Sequence, residues 1–192
     1  MTTLETKIHD FLAQNRVAVA ARNYGEATHM KRRDVASFLI IIVDAGFVAW
    51  GALAAGLPDR LSGPGGLSII AAGYEGFTKA SWSALLATSP TTAGYIQVLF
   101  RTYGMFNVAF GVLGIAIAFT AFRRGDRWAW WALLLGNTLA LVSAMTYDRL
   151  VNAIGPFEMS EYVGLIMIYI ALLLANPFRV KSGVSHIAPQ SA

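Results

Sequence analysis

The chain has 192 residues, of which 56% are hydrophobic and 14% are charged. A soluble domain usually carries about 25% charged residues, so this composition excludes an ordinary soluble domain. Cysteine is absent, which excludes a disulfide, a thiolate nucleophile and a cysteine metal site. The histidines, His9, His29 and His186, all lie outside the apolar runs. We therefore expect no metal centre and no cofactor. The net charge of +4 needs no nucleic-acid partner, because membrane topology explains its placement.

An N-terminal segment, residues 1–33, precedes the first apolar run. Leu4, Ile8, Phe11 and Leu12 share one helical face. This spacing predicts an amphipathic helix on the cytoplasmic membrane surface. A partly disordered tail is the alternative. Within this segment no apolar h-region follows the early charges, so the segment is not typical of a secretory signal.

The first apolar run, residues 35–57, is long enough to cross a bilayer, which takes about 20 residues. Asp44 lies near its middle. A carboxylate at that depth costs roughly 2.5–3.5 kcal/mol on insertion scales, so it normally faces a partner or a wet cavity.

Three further apolar runs follow, and none of their central stretches carries a charge. Their backbone polar groups must be satisfied internally in lipid, so each is predicted to be a transmembrane helix. The prediction is an all-α integral membrane four-helix bundle over residues 34–178, with spans 35–57, 102–122, 128–147 and 160–178, an outer loop 58–101 and a cytoplasmic tail 179–192.

The Lys and Arg distribution predicts the orientation. The N-terminal segment, the turn at 123–127 and the tail together carry 11 basic residues, and the opposite side carries 4. Basic segments stay inside. Both termini are therefore predicted to be cytoplasmic, in a bacterial-type inner membrane.

The outer loop is much longer than the usual connection, so it is expected to be functional or to hold structure of its own. It opens with a turn-forming stretch at 62–66, and Ser81 has the position of a helix cap. Residues 67–88 are predicted either to lie on the membrane as a lid or to form an ordinary interfacial loop.

Polar residues recur at the same depth in three spans. Asp44, Asn137 and Tyr169 each lie about 15 Å from the cytoplasmic edge. An acid, an amide and a phenol in one layer can form a hydrogen-bond network, and Asn107 is a further polar candidate in the second span. In one hypothesis Asp44 locks the helix register. In the other it lines a polar pocket and exchanges protons.

A second polar cluster is predicted at the outer surface. Ion pairing is the common outcome for such a cluster, and acid–base work or ion capture is the alternative. No catalytic signature occurs in the chain, so no catalytic residue is assigned. The members of this outer cluster are Arg101, Tyr103, Asp148, Arg149, Glu158 and Glu161.

Three features resemble DoxX-like small bacterial membrane proteins over residues 95–175. They are a glycine-rich second span, a tight basic turn that runs into tryptophans (RRGDRWAWW), and a fourth span that ends in a short basic tail. The resemblance implies a four-helix membrane protein that serves as an accessory subunit of a redox or stress-response complex. No residue matches a defined quinone site.

Three functions follow as hypotheses. The first is a non-catalytic membrane subunit or scaffold, whose partners are the lipid bilayer and another membrane protein or a second copy. The second is a small-molecule or proton-coupled carrier that uses Asp44. The third is a membrane enzyme on a lipid-soluble substrate that uses Arg101, Glu158 and Glu161.

Overall fold

A computed structural model describes residues 3–61, 67–152 and 156–178, without most side chains of 3–29 and those of 156–158. Within these residues the chain is helical almost throughout. A 3-10 turn, Pro58–Arg60, follows the first helix, and a π-helical turn, Ala118–Phe122, follows the fourth. The α-helices are α1 (Thr3–Gly56), α2 (Ile69–Thr78), α3 (Trp82–Thr88), α4 (Pro90–Ile117), α5 (Arg127–Val151) and α6 (Pro156–Leu174).

The first helix continues without a break from the N-terminal segment into the first apolar run. No turn separates residues 1–33, as far as they are described, from the span that follows. The segment predicted as a separate surface helix is therefore helical, but it is the first part of α1.

Three helical segments are long and apolar enough to cross a membrane: Met30–Gly56, Pro90–Phe122 and Arg127–Val151. They include the first three predicted spans, except that the first segment ends one residue before the predicted end at Leu57. The fourth predicted span corresponds to α6, whose apolar part, Met159–Leu174, is shorter. Helix α4 begins at Pro90, where proline fits because the first helical N–H has no intrahelical acceptor.

The most extensive interface joins α1 to α4. Glycines let the two backbones approach closely, as is common between membrane helices. A Cβ built on Gly104 would lie 2.6 Å from the Ala55 nitrogen and 2.7 Å from the Gly51 oxygen. Gly111 meets the Asp44 carbonyl oxygen in the same way. Gly104, Gly111 and Gly114 thus lie on the surface of α4 that contacts α1.

Helix α6 packs against both α1 and α5, whereas α4 and α5 touch only slightly. The four long helices therefore surround a core whose largest members are Ile40, Phe122, Leu133, Ile168 and Leu172. The weak contact between α4 and α5 leaves space between them.

One end of these helices, which we call the basic end, contains Arg33, Asp34 and residues 123–127. Arg33 Nη1 donates to the Arg124 carbonyl oxygen at 3.2 Å, and Arg123 Nη2 lies 2.7 Å from Asp34 Oδ1. Gly125 has a φ of +86°, and the Arg33 guanidinium covers its α carbon. The backbone angle favours glycine here, and a larger residue would also displace the Arg33 guanidinium.

The opposite end, which we call the loop end, contains α2 and α3. The Ser68 and Ser81 side chains cap these helices by accepting from the Ala71 and Ala84 amides. The predicted cap at Ser81 is therefore confirmed. Ile70, Trp82 and Ala93 form a small core under the two helices. The predicted loop holds structure of its own, and its opening stretch at 62–66 lies outside the described residues.

Candidate functional site

Asp44 is completely buried at the contact between α1 and α4. A Cβ built on Gly114 would lie 2.6 Å from the Asp44 Cγ and 2.9 Å from Oδ1, and it would meet Oδ2 as well. The acid therefore fits only because position 114 has no side chain. Neither carboxyl oxygen has a hydrogen-bond partner of ordinary geometry among the described residues.

Asn137 on α5 approaches this carboxyl group. It is 1% exposed, and its Oδ1 also lacks a hydrogen-bond partner among the described residues. Asp44 and Asn137 are thus brought together, but their approach does not satisfy the strict geometry of a hydrogen bond. Ser37 is buried with an unpartnered hydroxyl oxygen too, about 10 Å farther along α1.

Tyr169 does not complete a three-residue network with this pair. Its hydroxyl lies 3.2 Å from Thr138 Oγ1, and its side chain is 40% exposed. A depth count along a helix contains no information about the face of the helix on which a residue lies. The polar layer expected from the sequence therefore reduces to Asp44 and Asn137.

Asn107 is buried on α4 and donates from Nδ2 to the Tyr103 carbonyl oxygen at 3.0 Å. Its Cβ lies against Gly51 of α1. It lies seven residues, about two turns, from Gly114, so it belongs to a different level of the molecule from Asp44.

The cluster predicted at the outer surface divides into separate groups. Arg101 donates to the Ala55 carbonyl oxygen at 3.0 Å and lies 3.9 Å from Asp59. Arg149 donates to the Tyr162 hydroxyl at 3.3 Å. The Glu158 side chain lies outside the described residues. The remaining three members, Tyr103, Asp148 and Glu161, line one cavity.

This first cavity encloses about 600 Å³ near the loop end. Helices α1, α5 and α6 form its walls, with Phe47, Leu141 and Val163 among the apolar side chains. Ile69 and Ala72 of α2 contribute to the lining from the loop. Its polar residues are Tyr103, Tyr147, Asp148, Ser160 and Glu161. The cavity is therefore apolar over most of its lining and polar over a limited part.

A second cavity, of about 670 Å³, lies where α4 and α5 separate. Tyr103 and Tyr147 line both cavities, and so does Gly73 of α2. The Tyr147 hydroxyl lies 2.8 Å from the position of a Cβ on Gly73, so α2 rests closely on α5. Phe106, which is 69% exposed, lies at the edge of the second cavity.

The sequence reasoning did not identify these cavities. The available signal was the presence of small residues such as Gly73, Ala144 and Gly164, which line the first cavity. Small residues usually indicate helix contacts, and only the tertiary structure shows which of them border empty space. Among the described side chains, no group of three or more His, Asp or Glu residues has the arrangement of a metal site.

The fold is helical in the part of the chain that the structure describes, and three of its helical segments are long and apolar enough to span a membrane. A comparison of the chain with protein-family models, curated proteins and solved structures finds no match. The DoxX-like resemblance therefore stays a prediction.

Proposed function

We propose that this protein crosses the membrane four times and holds a lipophilic molecule in the cavities near its loop end. In this proposal α6 is the fourth crossing, and both termini face the cytoplasm of a bacterial-type inner membrane. The single observation that carries the ligand proposal is the first cavity, with its apolar walls and its limited polar lining.

The topology has support from helix lengths and from contacts at the basic end. Helix α6 has 19 residues and is about 28 Å long, and its apolar part, Met159–Leu174, covers about 24 Å of the roughly 30 Å of a hydrocarbon core. The ion pair between Asp34 and Arg123 holds the start of the first span beside the turn at 123–127. These basic residues therefore belong to one side, which the charge rule favours as cytoplasmic.

Single cysteines test the topology directly, because the chain contains none. We expect a membrane-impermeant maleimide to label Thr88→Cys in intact cells or spheroplasts. It should label Ser182→Cys only after the membrane is opened. Labelling of both from outside would show an even number of crossings between the two positions, instead of the proposed three. Labelling of Ser182→Cys alone would invert the orientation.

The ligand class follows from the lining. Cavities of about 300–1,000 Å³ with apolar walls and few polar groups are typical of small-molecule sites. Ionised carboxylates accept hydrogen bonds only, and phenols both donate and accept. Tyr103, Tyr147, Asp148 and Glu161 therefore favour a molecule with an apolar body and a hydroxyl or similar donor at one end.

Access from the lipid also has structural support. The second cavity lies between α4 and α5, at the place where these helices separate. Its edge includes exposed apolar side chains such as Phe77, Phe106 and Leu150. In a bilayer these groups would contact acyl chains, so a lipophilic molecule could enter sideways without crossing water.

Photolabelling tests this proposal. The probe is an alkyl alcohol with a photoactivatable diazirine, added to the reconstituted full chain. We expect adducts on cavity residues, and we expect Ala144→Trp to reduce them because Ala144 lines both cavities. Leu139→Trp is the matched control, since Leu139 lies on the same helix, is 67% exposed and lines neither cavity. Equal labelling of the two variants, or adducts spread over the lipid-facing surface, would contradict the proposal.

The three functions inferred from the sequence differ in their support. The enzyme hypothesis needs Arg101 beside Glu161, but Arg101 is bonded to Ala55 at the end of α1. The carrier hypothesis needs Asp44 on a pathway, but Asp44 lines neither cavity. The subunit hypothesis stays a prediction. Purification from the native membrane in a gentle detergent tests it, and a protein that consistently purifies alone would count against it.

A further inference from the structure

The strongest feature outside the cavities is the polar pair at the α1, α4 and α5 contact. Asp44 is 0% exposed and Asn137 is 1% exposed. Three oxygen atoms there, both from the Asp44 carboxyl and one from the Asn137 amide, have no hydrogen-bond partner of ordinary geometry among the described residues. A buried polar group without a partner is costly, and an unpaired charge costs more.

We propose that Asp44 and Asn137 form a proton-binding site. With a proton bound, the carboxyl group donates from one oxygen to Asn137 Oδ1. Its other oxygen accepts from the Asn137 amide nitrogen. The bound proton thus turns one Asp44 carboxyl oxygen from an acceptor into a donor. After a small adjustment of the side chains, all three oxygens have hydrogen-bond partners. The inference stands on this pair alone and does not depend on a ligand in the cavities.

A proton fits this site better than a metal cation does. Sodium or calcium would need several more oxygen ligands than these three atoms provide. The backbone of Gly114 also lies directly against the carboxyl group, where a Cβ would fall 2.6 Å from Cγ. A proton needs no such space.

Among the described side chains, no titratable group gives Asp44 a counter-charge at its own level. Asp34 on α1 forms an ion pair with Arg123 of the turn at 123–127, at the basic end. On α4 and α5, Tyr103 and Tyr147 line the cavities. On α6, Tyr169 is next to Thr138. Two others on α6, Glu161 and Tyr162, lie at the loop end, Glu161 at the first cavity and Tyr162 beside Arg149.

Infrared spectroscopy of the reconstituted full chain tests the proposal. The protein is labelled with aspartate carrying ¹³C at the side-chain carboxyl. We expect an isotope-shifted carboxylic-acid band at neutral pH, absent in Asp44→Asn. In Asn137→Leu the band should move to higher frequency, because the acid loses its hydrogen-bond acceptor. Asp59→Asn and Asp148→Asn are the controls and should leave the band unchanged, since these residues lie at the loop end.

Each other outcome overturns the proposal. If labelled aspartate gives only ionised carboxylate bands, Asp44 holds no proton. If the acid band is the same in Asn137→Leu, the two residues do not form a pair. If the band disappears when sodium replaces potassium, the site binds a metal cation instead. Should Asp44→Asn fail to fold, the labelled wild type, the two controls and Asn137→Leu still decide the question.

Discussion

The carboxyl group of Asp44 lies directly against the α carbon of Gly114, with the position of a Gly114 Cβ only 2.6 Å from the Asp44 Cγ. One residue supplies a buried polar group and the other supplies the space for it. Because the two belong to α1 and α4, this contact sets how closely the most extensive helix interface can close.

Gly114→Ala is the first prediction. The added methyl group would enter the space of the Asp44 carboxyl, and overpacking of this kind costs typically about 1–3 kcal/mol. We expect a lower unfolding temperature in detergent. Gly94→Ala is the control on the same helix, because nothing lies within 4 Å of its Cβ position. It should be neutral or stabilising by about 0.5–1 kcal/mol. Equal stability of Gly114→Ala and Gly94→Ala would contradict the close contact between Gly114 and the Asp44 carboxyl group.

Gly51 and Gly104 give a second prediction. Each Cβ would meet the partner glycine's carbonyl oxygen, at 2.5 Å for Gly51 and 2.7 Å for Gly104. Either alanine variant should destabilise the protein by about 1–3 kcal/mol by pushing α1 and α4 apart. The double variant should cost less than the sum, since one separation relieves both clashes. Thermal unfolding of the four proteins measures this, and strict additivity would show that the two contacts are independent.

Phe110 gives a third prediction. Its ring packs edge-to-face on Phe47 with centroids 5.2 Å apart, and these rings line the two cavities. Phe47 and Phe110 lie three and four residues from Asp44 and Gly114, so the aromatic pair lies one turn above the buried acid. Phe110→Ala should let water reach Asp44.

The measurement is the rate at which the Asp44 carboxyl exchanges its proton for deuterium, followed by the infrared band. The rate should rise at least severalfold in Phe110→Ala. Leu113→Ala removes an apolar side chain that is 63% exposed on the same helix, and it should leave the rate unchanged. Unchanged exchange in Phe110→Ala would mean that the aromatic pair is not the barrier.

The basic end gives a fourth prediction. Asp34 and Arg123 form an ion pair at 2.7 Å, but both side chains are more than 40% exposed. Such pairs contribute roughly 0–1 kcal/mol. Asp34→Asn should therefore lower stability only slightly, and less so at high salt. Gly125→Ala, in the same turn, should cost about 1–2 kcal/mol or more, because its φ is +86° and Arg33 covers it. Thermal unfolding of the two variants measures this, and a larger loss of stability in Asp34→Asn than in Gly125→Ala would contradict the prediction.

Much of the helical pattern could be predicted because apolar length is a property of the sequence alone. The first three predicted spans lie within observed helical segments except for one residue at Leu57, and the cap at Ser81 was predicted from residue type. The continuity of α1 was not predicted, because the charged residues around position 33 mark the end of the apolar run. Charged residues are nevertheless good helix formers, so the helix continues through them. The π-helical turn Ala118–Phe122 was not predicted either, because its sequence contains neither proline nor glycine.

The candidate site residues could be predicted from the sequence only in part. Counting along each helix placed Asp44 and Asn137 at one depth, and the structure brings them together. The same count included Tyr169, which is next to Thr138 instead. It could not show that Arg101 donates to the Ala55 carbonyl oxygen, whereas Asp148 and Glu161 line the first cavity.

The sequence by itself determined that this is a helical protein with apolar segments long enough for a membrane and an acid at the middle of one of them. Composition, the length of an apolar run and charge are properties of the linear sequence, so they can be obtained without knowing which residues are in contact. Only the tertiary structure decided which faces meet. The space beside Gly114 holds the Asp44 carboxyl group, and the cavities lie between separated helices. Both depend on the rotation and spacing of whole helices. Those are set by all their contacts together.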